Sequence, residues 1–492
     1  MERALPSSID YTKILPIAAG NPRVMRRTFL PVNGQTFTAE GNNIVRIEIS
    51  ANQFWDAQHS YLRFNVRLPV IRDNVAGNNN GTFGFDFGGG HGIIRRLRVE
   101  QAGNIIMDCN RYDRLLASIL LPAQGDLNNL GHRSITENCR YNNIGNAANM
   151  TVVEAGATTG GSFNSGISTN SGQLAPNAAA PGPFNSLQFC IPLVGGLFSQ
   201  SKLVPLQLLS SAPLTIEIEL APPLDVGARD VIAGNADALT DYTVENIRYI
   251  ASLVETSPDV DAQVRMVQEM SGGNIVLNST DYTHFNGNIA ANATGQQAIN
   301  VPARRKSMKS IFFVGASSTY AAGGAGGDTQ SVNYNQSFGG NFNMVDYHVK
   351  IGSLQYPATP VRCDFHLANA PFLRGEAMME LSKCFGTTGS TIGLGILNTC
   401  NYAATSCDTA NQVVGTGGGG GNAPFRFSPF GLDLEAFQRT AIESGVNTAD
   451  RSTPITLVVN IGTAQEAINV DAFVAFDSLY YIDNSGIISV SH

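Results

Sequence analysis

Charge is scarce in this sequence. Asp, Glu, Lys and Arg make up 14% of its 492 residues, against roughly 25% in an average soluble domain. The chain is nevertheless 43% hydrophobic, which excludes a disordered protein, since such chains are poor in apolar residues and rich in charge. So sparsely charged a surface points to a molecule that faces other protein more than bulk water. Lysine is the scarcest charged residue, with six beside twenty-five arginines. Arginine suits packed polar interfaces, because its planar, weakly hydrated fork holds carboxylates bidentately. Positive charge is also in deficit, at a net -8. That excludes a chain whose main task is gripping nucleic acid through a broad basic face. No run of 18 apolar residues exists, so no transmembrane helix is expected. Met1 to Pro6 lacks the apolar stretch of a secretory signal. The 7 cysteines are odd in number and without framework spacing, which fits a reduced compartment and synthesis in a cytoplasm.

Catalytic signatures are missing as well. No Lys follows a Gly, so the phosphate-cradling loop ending in Gly-Lys-Ser/Thr is absent. Neither a Gly-x-Ser-x-Gly nucleophile elbow nor a His-Glu-x-x-His zinc helix occurs. The histidines (59, 91, 132, 284, 348, 366 and 492) are dispersed. Cys363 and His366 offer two metal ligands without a second pair at finger spacing. They read as strand residues, and Cys400 and Cys407 as plain thiols. His91 lies in Gly88-Gly89-Gly90-His91-Gly92 and reads as part of a turn. Asp433 and Glu435 could share one side of a strand, but a solvated face is the commoner setting for such a pair than a glycosidase dyad. No catalytic residue, metal or cofactor is expected.

What is present is β periodicity. Ile47 and Ile49 alternate with Arg46 and Glu48; Leu62, Phe64, Val66 and Leu68 with Arg63, Asn65 and Arg67. Leu97 and Val99 sit among Arg96, Arg98 and Glu100, and Ile216, Ile218 and Leu220 among Thr215, Glu217 and Glu219. Ile311–Val314, Ile455–Val459 and Phe473–Phe476 read as fully buried strands, and Gly, Asn, Ser and Pro clusters between the runs carry turns. Three helices are expected: one capped by Asn110 and stopped near Pro122, one opened by Ser257-Pro258-Asp259, and one over Pro371–Cys384 ended by Gly386.

The length allows two large domains or three small ones. The order of elements favours two, because it repeats after about 240–260 residues. A strand pair leads into a helix; then come a Gly-rich tract, a Pro-punctuated segment and a strand, at Leu97 to Leu220 and again at Val349 to Val459. The low-complexity tracts at 142–182, 322–327 and 415–421 fall at loop positions. They are either plain connections or exposed tips shaped to meet something outside. Residues 1–31 carry Arg3, Lys13, Arg23, Arg26 and Arg27 against Glu2 and Asp10, with Pro6, Pro16, Pro22 and Pro31 discouraging regular structure. They read as a basic arm or a solvated tail.

The run Phe184-Asn-Ser-Leu-Gln-Phe-Cys-Ile-Pro-Leu-Val-Gly-Gly-Leu-Phe198 is followed by Ser201-Lys-Leu-Val-Pro-Leu206 and by Leu214-Thr-Ile-Glu-Ile-Glu-Leu-Ala221. It resembles the end of the first jelly roll in double jelly-roll major capsid proteins of the polinton-like virus, virophage and adintovirus group. Asn43–Ile47 with Tyr61–Phe64 is similar to that family's opening strands, and Tyr242–Tyr249 to the start of its second jelly roll. The resemblance implies an all-β fold of two tandem eight-stranded jelly-roll sandwiches with a few short helices in the loops. It divides the chain into an arm (1–31), a first jelly roll (32–228), a linker (229–241) and a second jelly roll (242–492).

It further implies a homotrimeric, pseudo-hexagonal capsomer tiling the icosahedral shell of a double-stranded DNA virus. Neighbouring capsomers, penton and minor capsid proteins would be its partners, the virion its place, the host cytoplasm its site of synthesis, and the basic arm would lie inside the shell. No sequence-specific contact with nucleic acid is expected. Two rivals stand beside this reading. A tandem β-sandwich carbohydrate-binding or attachment protein would show clustered exposed aromatics, yet the chain has one tryptophan, Trp55. A β-sandwich hydrolase would need a constellation that the spacing does not reveal.

Overall fold

Alternating side chains commit one face of a strand to the interior. At Ile44–Ile49 the pattern is obeyed: Val45, Ile47 and Ile49 are buried, Ile44, Arg46 and Glu48 exposed. The computed structural model describes residues 22–67, 82–85, 88–124, 136, 186–200, 202–209, 211–230, 241–317, 336, 339–367, 375–386, 397, 402, 428–436, 445–450, 453–463 and 466–492. The low-complexity tracts, Cys400, Cys407, Arg3 and Lys13 lie outside them.

Eight strands build the first sandwich: β1 (Arg23–Phe29), β2 (Ile44–Ile49), β3 (Phe54–Arg67), β4 (Ile94–Gln101), β5 (Asn104–Asn110), β6 (Ser186–Ile191), β7 (Leu214–Leu220) and β8 (Thr243–Glu255). They form two antiparallel sheets in the orders β1-β8-β3-β6 and β2-β7-β4-β5. The short strands Thr36–Thr38 and Val204–Pro205 extend the first sheet. The second sandwich comprises β9 (Ile275–Ile289), β10 (Gly295–Asn300), β11 (Met308–Ser317), β12 (Met344–Ile351), β13 (Leu354–Arg362), β14 (Phe430–Asp433), β15 (Ile455–Ile461) and β16 (Ile468–Ile482). Its orders are β9-β16-β11-β14 and β10-β15-β12-β13. Every strand of the first half therefore has its counterpart eight strands later. Within each half, apart from the β4–β5 and β12–β13 hairpins, successive strands cross between facing sheets, as in a jelly roll.

The interiors are aromatic. Trp55 is wholly buried in the first, edge-on to Phe198 at 5.9 Å and Tyr249 at 6.1 Å, with its indole N–H donating to Ser60 Oγ at 3.1 Å. In the second, Phe313 stacks on Phe430 at 5.1 Å and meets Tyr347 edge-on at 5.1 Å. Burying each such ring contributes roughly 1.5–3 kcal/mol.

Three expectations need correction. Tyr242–Tyr249 does not open the second sandwich. Residues 243–249 belong to β8, which pairs with β1 on one side and β3 on the other, matching Val244 to Val66, Tyr249 to Leu62 and Leu253 to Trp55. The Tyr242 hydroxyl donates to the Ala221 carbonyl at 2.6 Å, and Val244, Tyr249, Ala251 and Leu253 complete the first core. The linker expected at 229–241 therefore falls between β7 and β8 of the first sandwich, and the sheets divide later, across the helix Pro258–Met270. Residues 23–29 are not part of an arm, because β1 occupies the interval between Pro22 and Pro31 as an edge strand. Nor does Pro122 stop the first helix. Helix α1 (Tyr112–Leu115) passes through a π-helical turn at Leu116–Leu120 into a last α turn at Leu121–Gln124. Pro122 offers no N–H and its ring needs room at the carbonyl four residues back; the wider turn supplies it. The residue in the cap position is Arg111, at φ 53°, with no side-chain cap.

Helix α2 (Pro258–Met270) lies between β8 and β9, with Ser257 in the cap position and Asp259 and Asp261 in its first turn. Helix α3 (Gly375–Cys384) follows β13 as α1 follows β5. Gly386, at φ +61°, closes it with an N–H bond to the Lys383 carbonyl at 2.8 Å.

Candidate functional site at the seam between the two sandwiches

The first sandwich ends on one flank in β5, α1 and the chain after β6. Gly195 and Gly196, at φ +97° and +50°, turn that chain into a 3-10 turn, Gly196–Ser199. A methyl group on Gly196 would stand 2.8 Å from Met107 Sδ and 3.0 Å from the Tyr480 hydroxyl. Only glycine permits this approach, and it brings β16 of the second sandwich onto the first. β9 lies alongside β5, and Tyr282 would be 3.7 Å from a methyl on Gly195.

Polar groups lock the contact. Arg114, on α1, has a side chain only 3% exposed and places Nε 3.4 Å from Asp471 Oδ2 on β16. The other oxygen of Asp471 is 2.8 Å from His284 Nε2 on β9. Arg114 Nη1 also donates to the Gln336 carbonyl at 2.6 Å. Gln336 Nε2 donates to Asp113 Oδ2 and to the Gly92 carbonyl, both at 2.9 Å. At the other end Gln101, on β4, is wholly buried. Its amide donates to the carbonyls of Ala212 at 3.1 Å and Gly486 at 2.9 Å, and its oxygen accepts from the Ile488 N–H at 2.8 Å. Gln268, on α2, reaches the Ile482 carbonyl at 3.3 Å.

Burial dominates the electrostatics here. It raises the carboxyl of Asp113 to about 6 against the pull of Arg111. It raises Asp281, which accepts the Tyr282 N–H at 2.9 Å, to about 7. Asp471 goes the other way: burial alone would raise it, but the His284 hydrogen bond and the charges of Arg114 and Arg111 outweigh that and hold it below the ordinary carboxylate range. The arrangement is a buried clamp. Burial pushes the thiol of Cys109 beside it up, away from thiolate, as it does those of Cys363 and Cys384 on the second sandwich.

The other residues singled out in the sequence lie elsewhere. Arg23, Arg26 and Arg27 stand on β1, opposite Glu255, Ser252 and Ala251 of β8. Arg26 donates to the Tyr61 hydroxyl at 2.8 Å, and Arg27 lies 5.0 Å from the Phe29 ring centre. His91, in the buried 3-10 turn Gly89–Ile93, is 3.3 Å from the Tyr112 hydroxyl. Glu435 is bound by Lys309 at 3.0 Å, which also holds Asp477 at 3.5 Å, and its backbone N–H donates to Asp433 Oδ1 at 3.0 Å. Asp364, between Cys363 and His366, is held by Arg362 at 2.5 Å. Among the described residues no three His, Cys, Asp or Glu side chains gather as a metal site, and no helix is long and apolar enough to cross a membrane.

Neither a family model nor a curated protein matches the sequence. Solved structures do match. A chain of the Sputnik virophage structure superposes with a TM-score of 0.56 at 10% identity, over 100% of this chain and 93% of its own. VP54 of PBCV-1, fitted into a reconstruction of the virophage Sputnik, gives 0.54 at 11% identity over 98% and 99%. The Faustovirus major capsid protein gives 0.50 at 10% identity over 95% and 92%. The fold is the double jelly roll of capsid proteins. At such identities the double jelly roll is what is shared, and individual residues carry no role across. Arg114, Gln336, Asp471 and Gln101 had no signature in the sequence, since Gln101 and Ile488 stand 387 positions apart. The one local hint was Asp113-Arg114, a charged pair inside an otherwise apolar helical stretch.

Proposed function

We propose that this chain is a major capsid protein whose homotrimer is a pseudo-hexagonal capsomer in the icosahedral shell of a double-stranded DNA virus. The observation that carries the reading is the duplication. One sandwich topology occurs twice, side by side, clamped along a buried polar seam, in a chain that superposes end to end on a capsid protein. Three such chains in a ring present six similar towers, and a near-hexagonal outline tiles a surface without gaps. Closed cyclic symmetry is the usual state of homo-oligomers. Neighbouring capsomers and penton and minor capsid proteins are then its partners, the virion its place, and its task is structural. The carbohydrate-binding rival loses its anchor, because Trp55 is interior. Within the reading, Arg3 and Lys13 belong to a basic arm under the shell that ends before β1.

Light scattering on the purified chain, with negative-stain imaging, tests the proposal. Particles near three chain masses with a six-cornered outline are expected. A chain that stays single at all concentrations sinks it.

A further inference from the structure

A surface helix ordinarily turns its apolar side inward. Helix α2 does the reverse. Of the residues Pro258–Met270 only Gln268 is buried, and its amide donates to the carbonyls of Gly273 and Ile482, both at 3.3 Å. Val264, one turn earlier, packs on the core. Asp261 accepts from the Thr256 hydroxyl at 3.2 Å and from the Gln207 amide at 3.5 Å, so the helix is anchored along one side. Met266, Val267 and Met270 stand outside, 60%, 56% and 81% exposed. Met266 and Met270 are four positions apart and Val267 and Met270 three, so these side chains are neighbours on one face.

The face is apolar in an acidic setting. Helix α2 carries Asp259, Asp261 and Glu269 against Arg265 alone, and Asp259 and Glu269 are exposed. Glu255 stands just before it, opposite Arg23 at the start of β1. That excess of carboxylates repels anionic lipid headgroups and nucleic acid. Residues 1–21 of the chain itself set Arg3 and Lys13 against Glu2 and Asp10, so their side chains bring no net charge to meet it. Exposed methionines suit a partner helix, because the unbranched thioether adapts to the surface laid on it. Carboxylates beside them select a cationic one. The pairing of Arg23 with Glu255 also places α2 at the end of the first sandwich where the basic arm enters β1, which is the underside of the shell in the capsomer reading.

Resting on the capsomer reading, we propose that the exposed Met266–Met270 face of α2 is a docking site for a basic amphipathic segment of a protein inside the particle. The apolar residues of that segment cover the methionines and Val267, as in recognition of an amphipathic helix by an apolar surface, and its Lys or Arg side chains meet Asp259 and Glu269. A chain of net charge -8 leaves neutralisation of a genome to other cationic molecules, so basic protein beneath the shell is the neighbour this face is built to meet.

The test uses the full chain and a fluorescent helical peptide of leucine and lysine, about 14 residues long, with its leucines on one face. A peptide with glutamate in place of lysine is the comparison, and every variant is checked by circular dichroism and light scattering. Anisotropy is expected to show binding of the Leu/Lys peptide and none of the Leu/Glu peptide. Met266→Ser with Met270→Ser is expected to weaken binding about 30-fold. Asp259→Asn with Glu269→Gln is expected to weaken it about 5-fold and to flatten its salt dependence. Leu30→Ser, at an exposed apolar residue beyond the far end of β1, is expected to change nothing. A trimer that binds neither peptide, binds both alike, or binds equally well without the methionines overturns this inference and leaves the capsomer reading standing. Flotation of the parent but not of the methionine variant with phosphatidylcholine–phosphatidylglycerol vesicles overturns it in favour of a lipid surface. Binding that appears only after removal of residues 1–21 overturns it in favour of the chain's own arm. A parent that stays a single chain overturns the capsomer reading, and the inward placing of α2 with it.

Discussion

Asp281 is 2% exposed, between β9 and the flank of the first sandwich. The Tyr282 N–H and the more distant charge of Arg305 only partly offset its burial. An aspartate in the unfolded chain titrates near ~3.9, and here the value is about 7. Between those values the native state keeps a proton that the unfolded state releases. The stability contributed by this group is thus complete below about pH 4 and lost as pH rises through about 7. Asp113, raised to about 6, acts in the same direction. Asp471, held low, acts in the opposite one: its contribution is present above its unfolded value and lost on acidification. Asp281→Asn keeps an acceptor for the Tyr282 N–H and removes the titration. It is expected to raise stability at pH 8 by on the order of 2 kcal/mol and by roughly a third as much at pH 5. Urea unfolding at both values checks this; parallel pH profiles for variant and parent would refute it.

At the scale of single elements, the sequence was most readable where one face is wet. The alternations at Ile44–Ile49 and Leu214–Leu220 become β2 and β7 with every inward residue buried. It was least readable where charge sits on an edge. In Arg23-Val-Met-Arg-Arg-Thr-Phe29 the basic residues are neighbours, so no period of two emerges, and only pairing with β8 makes the segment a strand. β8 was misassigned for a related reason. The chain at 229–241 reads as a linker, and nothing local states that a strand after it completes the sheet before it. The Pro122 stop failed because a π-turn depends on packing rather than on propensity. These elements predict a contrast between two truncations. Removing residues 1–21 is expected to leave the thermal midpoint unchanged, since β1 and its pairing remain. Removing residues 1–31 strips the edge from β8, exposes its unpaired backbone and is expected to lower the midpoint by several degrees and promote aggregation. Equal midpoints for the two truncations would mean that β1 adds nothing to the sheet.

For the molecule as a whole, two complete sandwiches raise the question of whether they melt separately. Each has its own core, and strands exchange between them nowhere in the sheet orders, so independent unfolding is the default for two such domains. The seam argues against that default. It ties Arg114 to Asp471 across the halves and makes Gln101 a side-chain partner of both the Gly486 carbonyl and the Ile488 N–H. If the halves separate, these groups and the side chains of Met107 and Tyr480 packed around Gly196 must be rehydrated together. Each hydrogen bond exchanged for water costs a net of about 0.5–1.5 kcal/mol, more where a charge is involved, and the apolar surface exposed with them about 25 cal/mol per Å². These costs exceed the modest stability difference expected between two sandwiches of one topology and similar size. The full chain is therefore expected to give one calorimetric transition. Gln101→Ala combined with Arg114→Met removes the Gln101 and Arg114 links of the clamp, leaving those of Gln336 and Gln268, and is expected to split that transition into two. Two transitions in the unaltered chain, or one in the doubly altered chain, would show that the polar clamp is not what couples the halves.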